Sequence, residues 1–200
     1  GANMNFHRLR HVSERSELSE GNEAIFAVSI PERAGSFRAF VNTLGARNIT
    51  EFNYRYGDDD VAHIFVGIQT AGAADREHIR SELNAAQLPN IDLSNDEMAK
   101  VHLRYMVGGR THKVQNERVI SFEFPERPKA LAKFLNAMQT DWNITLFHYR
   151  NHGADYGRIL VGIDVPDSDE AAFNAFLENL GYAYEVQTDN AAYKLFLSAA

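Results

Sequence analysis

The string NITEFNYR at residues 48–55 returns as NITLFHYR at residues 143–150, and the two strings agree at six of their eight positions. Apolar and polar side chains alternate along the second half of each string, which predicts a β-strand with one buried face. Two such strings lying 95 residues apart in one chain indicate an internal duplication. We therefore expect two similar domains in tandem.

The duplication extends outward on both sides of these strings. Upstream, a Pro-Glu-Arg motif ends an alternating apolar run at residues 31–33 and again at residues 125–127, an offset of 94. Downstream, Val-Gly-Ile recurs at residues 66–68 and 161–163. Apolar residues with the spacing of one helical face follow each Pro-Glu-Arg motif. A period of this length exceeds the units of solenoids and fits a tandem pair of small domains.

Each copy predicts the order strand, helix, strand, strand, helix, strand. This βαββαβ order is the ferredoxin-like plan of the α+β class, an antiparallel sheet with two helices on one face. In the first copy the strands are expected near 24–30, 48–56, 61–69 and 89–93, and the helices near 35–46 and 74–86. Further short helices are expected near 95–103 and 190–198. The predicted divisions are a neck at 1–22, a first domain at 23–103, a connector at 104–117 and a second domain at 118–200.

The composition excludes several classes of function. The chain has 44% hydrophobic residues, no cysteine and a net charge of −7. Without cysteine it can form no disulfide, thiolate nucleophile or iron–sulfur cluster. The eight histidines show no metal-ligand spacing, and no catalytic motif is visible. We expect no metal, no membrane span and no catalysis by this chain alone.

The repeated Tyr-Arg dipeptide is the most informative candidate for a site. Tyr54 and Arg55 recur as Tyr149 and Arg150 at the same position of the same strand. Arginine is costly to bury without a partner, and its guanidinium can hold a carboxylate with two hydrogen bonds. Tyrosine can donate a hydrogen bond while forming the wall of an apolar pocket.

The loop after the first strand offers a second element of this site. Gly35 and Ser36 precede a predicted helix, whose first backbone N–H groups suit an anionic group. With the Tyr-Arg strands, they make a candidate site for the carboxylate and apolar side chain of an amino acid. The alternative is that these tyrosines and arginines only pack the two copies together, and the residues alone do not decide between the two interpretations.

Longer strings resemble one known family over almost the whole chain. They are EFNYRY at 51–56, DEMAK at 96–100, LRYMVGGR at 103–110 and LFHYR at 146–150. They resemble the C-terminal regulatory region of biosynthetic threonine deaminase, also called threonine dehydratase. Residues 1–10 resemble the end of that family's catalytic domain and the neck after it. The resemblance therefore implies a fragment that lacks the catalytic, pyridoxal phosphate-binding part.

The resemblance implies two ACT-like subdomains that bind isoleucine as feedback inhibitor and valine as activator. In the full cytoplasmic enzyme, typically a tetramer, they would control the conversion of threonine to 2-oxobutanoate and ammonia. Sensing is expected around Tyr54, Arg55, Arg104, Tyr149 and Arg150. One departure concerns Lys129, which stands where the first copy has Gly35 and where many members have glycine. Its bulk and charge argue against effector binding at the loop of the second copy.

Two other classes of function remain as alternatives. One is an oligomerisation module that binds no ligand. The other is an RNA-binding pair of ferredoxin-like domains. The third strand of each copy, near 62–68 and 158–163, lacks the aromatic and basic pattern of RNA recognition domains, and the acidic charge disfavours phosphate binding.

Overall fold

A computed structural model of the chain describes residues 22–57, 59–108, 111, 114–125, 130–138, 141–150 and 156–198. The first copy contains β1 (Glu23–Pro31), α1 (Ser36–Leu44), β2 (Ile49–Arg55), β3 (Val61–Gln69), α2 (Ala73–Ala85), β4 (Asn90–Asp92) and α3 (Glu97–Val101). The second copy contains β5 (Glu117–Pro125), α4 (Ala130–Ala137), β6 (Asn143–Arg150), β7 (Tyr156–Asp164), α5 (Glu170–Leu180), β8 (Ala183–Val186) and α6 (Ala191–Phe196). The predicted βαββαβ order is confirmed in both copies. None of the helices described here is long and apolar enough to cross a membrane.

All eight strands form one continuous antiparallel sheet in the order β4-β1-β3-β2-β6-β7-β5-β8. The copies meet where β2 pairs with β6, and this pairing sets Glu51 opposite Arg150 and Arg55 opposite Leu146. Each of these strands would be an exposed edge in an isolated copy, and unpaired edges invite further pairing. The duplicated NIT-x-F-x-YR strands are therefore the seam that joins the copies.

One hydrophobic core runs beneath the helices of both copies. It contains Phe37 and Phe40 from α1, Phe134 from α4, and the strand residues Phe52 and Phe147. The rings of Phe52 and Phe147 lie 4.9 Å apart, one from each copy, in an edge-to-face arrangement. Since α1 also packs against α4, the junction is part of the core and not a surface contact.

The repeated Val-Gly-Ile motif has a steric reason. A Cβ at Gly67 would lie 2.5 Å from Thr50 Oγ1, and one at Gly162 would lie 2.8 Å from Thr145 Oγ1. Both threonines sit at register shifts, in β2 and β6 respectively. Only glycine allows the bulged strand to come this close. Each bulge precedes the residues that cross the seam.

Candidate functional site

The structure divides each Tyr-Arg pair between the two faces of the sheet. Tyr54 and Tyr149 belong to the core beneath the helices, whereas Arg55 and Arg150 lie on the other face, among the short helices. Successive residues of a strand point to opposite faces, so no single pocket holds a tyrosine together with the arginine that follows it. The structure corrects the expectation of one site built from both.

Arg55 reaches across the seam to a carboxylate of the second copy. Its Nη1 and Nη2 atoms lie 2.6 and 3.2 Å from the two oxygens of Glu117, and Nη2 also donates to the carbonyl oxygen of Leu197. Thr145 and Tyr193 donate their hydroxyl hydrogens to the same carboxylate. Burial and the hydrogen bond to Glu117 raise the pKa of the Tyr193 phenol well above its ordinary value of 10.0.

Arg150 makes the reciprocal contact with the first copy. Its Nη2 donates to Glu51 Oε1 at 2.9 Å, and Arg104 holds the other oxygen of Glu51 at 3.0 Å. Asn53 donates to Glu51 as well, and the Arg150 guanidinium lies over the Tyr105 ring, 5.4 Å from its centroid. All three predicted arginines therefore have carboxylate partners within the protein.

The two clusters of ion pairs, around Glu117 and Glu51, form a second contact between the copies, on the face of the sheet opposite the core. The side chains of Arg55 and Glu117 are 4% and 6% exposed, and those of Arg104 and Glu51 are 9% and 6% exposed. Removing one partner of such a buried pair leaves an uncompensated charge, which costs about 3–5 kcal/mol. Arg55 and Arg150 bridge the two copies, and Arg104 binds the Glu51 carboxylate that Arg150 contacts.

The helix face of the seam contains a cleft, here named the junction cleft. It is lined from the first copy by Arg33, Ala34, Gly35, Phe37 and Arg38, and from the second by Leu135, Met138, Trp142 and Ile144. Its free volume of about 20 Å³ is enough for about one water molecule. The wall from the first copy carries two arginines, whereas the wall from the second copy is apolar.

Gly35 shapes the cationic wall. It precedes α1 with φ of 87°, and no described side chain caps the helix. The N–H of Ser36 donates to the carbonyl oxygen of Arg33, so the N–H groups of Phe37 and Arg38 are the ones available to an anion. Neither Arg33 nor Arg38 forms an ion pair with any residue that the structure describes. An ideal Cβ at Gly35 would meet Arg38 Nη2 at 3.9 Å, which places this guanidinium over the glycine.

Only some of the predicted residues adjoin this cleft. Gly35 lines it, and Tyr54 packs edge-on against the cleft residue Phe37 at 4.8 Å. The buried Tyr54 hydroxyl has no hydrogen-bond partner among the described residues. Ser36 is buried and lines a neighbouring groove of the first copy, and the predicted Lys129 lies outside the described residues.

Sequence reasoning missed Arg33 and Arg38. The expected carboxylate receptor rested on arginines repeated next to tyrosine. Arg33 is not next to a tyrosine, and Arg38 is not repeated, because Ala132 holds the equivalent position. The sequence does show a cation, Arg38, about one turn after Gly35 at the start of a predicted helix. Such a cation lies near the helix N–H groups that attract anions.

Comparison with known proteins identifies the family. The sequence profile of the C-terminal regulatory domain of threonine dehydratase matches residues 14–103 and again residues 108–197. The chain belongs to this family. The two matches also reproduce the internal duplication, because each covers one copy of this regulatory region.

Individual relatives agree with the family assignment. The biosynthetic L-threonine dehydratase of Burkholderia multivorans is 54% identical over 99% of the chain and 39% of its own length. The corresponding enzyme of Escherichia coli is 52% identical over 99% of the chain and 38% of its own length. The mitochondrial threonine dehydratase of Saccharomyces cerevisiae is 47% identical over 98% of the chain and 36% of its own length. The regulatory region thus spans about two fifths of the curated relatives that it matches.

Proposed function

We propose that this chain senses branched-chain amino acids for a threonine deaminase, binding isoleucine as inhibitor and valine as activator. The catalytic part would convert threonine to 2-oxobutanoate and ammonia with pyridoxal phosphate, in a cytoplasmic, tetrameric enzyme. Family membership supports the regulatory role. The observation that carries the ligand class is the junction cleft, where Arg33 and Arg38, which form no ion pair with any described residue, face an apolar wall.

An α-amino acid matches the chemistry of this cleft. Its carboxylate would accept hydrogen bonds from Arg33, Arg38 and the uncapped start of α1. Its branched side chain would lie against the apolar residues Met138 and Ile144 of the second copy. Gly35 lets the ligand approach the backbone closely, because it has no Cβ.

The cleft also suggests how binding is coupled to activity. It holds about one water molecule as it stands, so an amino acid enters only if α1 and the second copy separate. This separation would strain the ion pairs on the opposite face of the sheet, which involve Arg55, Arg104 and Arg150. Tyr54 and Tyr149 lie in the core between the cleft and these ion pairs. We propose that the change in packing reaches the catalytic part through neck residues 7–22, of which the structure describes only Asn22.

Opposite effects of two similar ligands need two packing states. Isoleucine and valine differ by one methylene, which is worth about 1–3 kcal/mol in an apolar pocket. A ligand shifts an equilibrium only by its difference in affinity for the two states. Isoleucine would therefore bind more tightly to the state in which α1 and the second copy are separated. Valine would bind more tightly to the state in which they remain packed together.

Calorimetric titration with isoleucine, valine and threonine tests this proposal. We expect saturable binding of isoleucine and valine to the wild-type chain, and at least tenfold weaker isoleucine binding in Arg38→Ala. The control is Arg80→Ala, which removes an exposed arginine of α2 that does not line the cleft. Absence of binding by any amino acid to a folded chain would instead support the assembly module.

A further inference from the structure

The short helix α3 and the turn that follows it form an exposed apolar surface, here named the α3 patch. It consists of five large apolar residues within positions 98–106, each between 36% and 75% exposed: Met98, Val101, Leu103, Tyr105 and Met106. Soluble proteins commonly expose such residues singly, whereas a concentration of them marks a contact surface. The α3 patch therefore needs an occupant.

α3 is firmly held beneath the patch. Asp96 caps the helix by accepting a hydrogen bond from the N–H of Ala99. Ala99 packs against Ile25 and Phe65 in a small cluster separate from the main core, so α3 lies on the face of the sheet opposite the core helices. Arg104 is buried and binds Glu51. The exposed side chains thus stand on a packed support.

The chain enters the sheet beside this patch. The N–H of Ile25, near the start of β1, donates to Ser94 Oγ at 3.0 Å, and the N–H of Leu93 donates to the Ile25 carbonyl oxygen. Leu93 and Ser94 lead directly to α3. Residues 1–21 are therefore attached next to the patch, and a tethered segment has a high local concentration near its attachment point. Residues 13–21 reach up to about 30 Å when extended, which is enough to return over α3.

The sequence of the attached segment complements the patch. Residues 1–12 contain two arginines and no acidic residue, together with the apolar residues Met4, Phe6, Leu9 and Val12. At the patch, Glu97 is exposed in the first turn of α3, and the ammonium of Lys100 is turned back to the carbonyl oxygen of Ser94 at 3.1 Å. A basic, apolar segment is thus tethered beside an apolar patch with an acidic border, and such complementary charge favours a specific contact.

We propose that residues 1–12, in the first half of the predicted neck, dock on the α3 patch. Their apolar side chains cover Met98 and Val101, and their arginines lie near Glu97. Docking connects the neck to the seam, because Arg104 of the α3 segment binds Glu51, which Arg150 of the second copy also contacts. This contact is independent of effector binding, since the patch and the junction cleft lie on opposite faces of the sheet.

A single introduced thiol can report on the patch, because the chain has no cysteine. Val101→Cys places a thiol on the patch, and Leu195→Cys places one at the equivalent exposed position of α6 in the second copy. The rate of maleimide labelling is compared between the parent neck and Phe6→Ser/Leu9→Ser/Val12→Ser. We expect the neck substitutions to speed the labelling of Val101→Cys at least fivefold and to leave that of Leu195→Cys unchanged.

Equal labelling of Val101→Cys with the parent and the substituted neck overturns the docking. Protection that grows with protein concentration also overturns it, because a second copy of the chain would then cover the patch. If Val101→Cys disturbs the fold, peroxide oxidation of Met98, followed by mass spectrometry, makes the same comparison without a substitution on α3. At least fivefold faster oxidation with the substituted neck supports docking, and equal rates contradict it. No amino acid is added in these experiments, so their failure and the failure of the sensor function are separate results.

Discussion

The two copies share a fold and a seam strand but differ in the surroundings of their first helices. The first copy has Gly35 before α1, an exposed Ala39 and an open groove. The second has Lys129 and Lys133 at the corresponding positions, and Tyr182 in place of the groove residue Leu88. The repeated seam strands thus hold the copies together, whereas the candidate ligand contacts Gly35 and Arg38 lie where the copies differ, and Arg33 is repeated as Arg127.

The largest expected effect concerns the repeated residues. Arg55→Ala leaves Glu117 buried without its guanidinium, so the free energy of unfolding should fall by about 3–5 kcal/mol. Urea denaturation measures this change. The matched control is Arg158→Ala, whose partner Glu123 lies 3.7 Å away and whose side chain is 84% exposed. An exposed pair of this kind contributes less than about 1 kcal/mol, and equal losses in the two variants would show that the seam pair is not special.

Exchange of the residues at the end of the second helix in each copy has the next largest effect. Gln87 has φ of 59° and its counterpart Gly181 has φ of 72°. Gln87→Gly removes left-handed strain and should raise the free energy of unfolding by about 1 kcal/mol, and Gly181→Gln should lower it by a similar amount. Urea denaturation of both variants checks these signs. Loss of stability in Gln87→Gly would contradict this account of the backbone.

A smaller effect is expected from the buried tyrosine of the first copy. Tyr54→Phe removes a hydroxyl that has no partner in the described structure, so stability should stay the same or rise by about 1 kcal/mol. If bound isoleucine supplies the missing partner, its affinity should fall in the same variant. Loss of stability on this substitution would mean that the hydroxyl already has a partner in the free protein.

The last prediction concerns Tyr193, whose ionisation affects the free energy of unfolding only at high pH. Its pKa is raised in the folded state by burial and by Glu117, so folding favours the neutral phenol. The stabilisation is complete below the unfolded pKa near 10 and is lost as the pH rises through that value toward the folded pKa. Unfolding free energy should therefore fall above about pH 10, and less steeply in Tyr193→Phe. Identical profiles for the two proteins would exclude a buried Tyr193–Glu117 contact.

The sequence predicted much of the fold, because hydrophobic periodicity records which residues face a core. It did not show that the two sheets fuse, since a pattern along one strand does not name the strand beside it. Alternation along β2 already implied that Tyr54 and Arg55 face opposite sides. The partners Glu51 and Glu117 could not be predicted, because they depend on pairing across the seam. Arg38 could not be predicted from the duplication, because the second copy has Ala132 at the equivalent position.

The fluorescence of Trp142, the single tryptophan of the chain, tests the central claim most directly. Trp142 lines the junction cleft and is 2% exposed. Titration with isoleucine should change its emission in a saturable way, and Arg38→Ala should shift the midpoint to at least tenfold higher concentration while Arg80→Ala leaves it unchanged. Emission that stays constant while calorimetry records isoleucine binding would contradict an effector site at the seam.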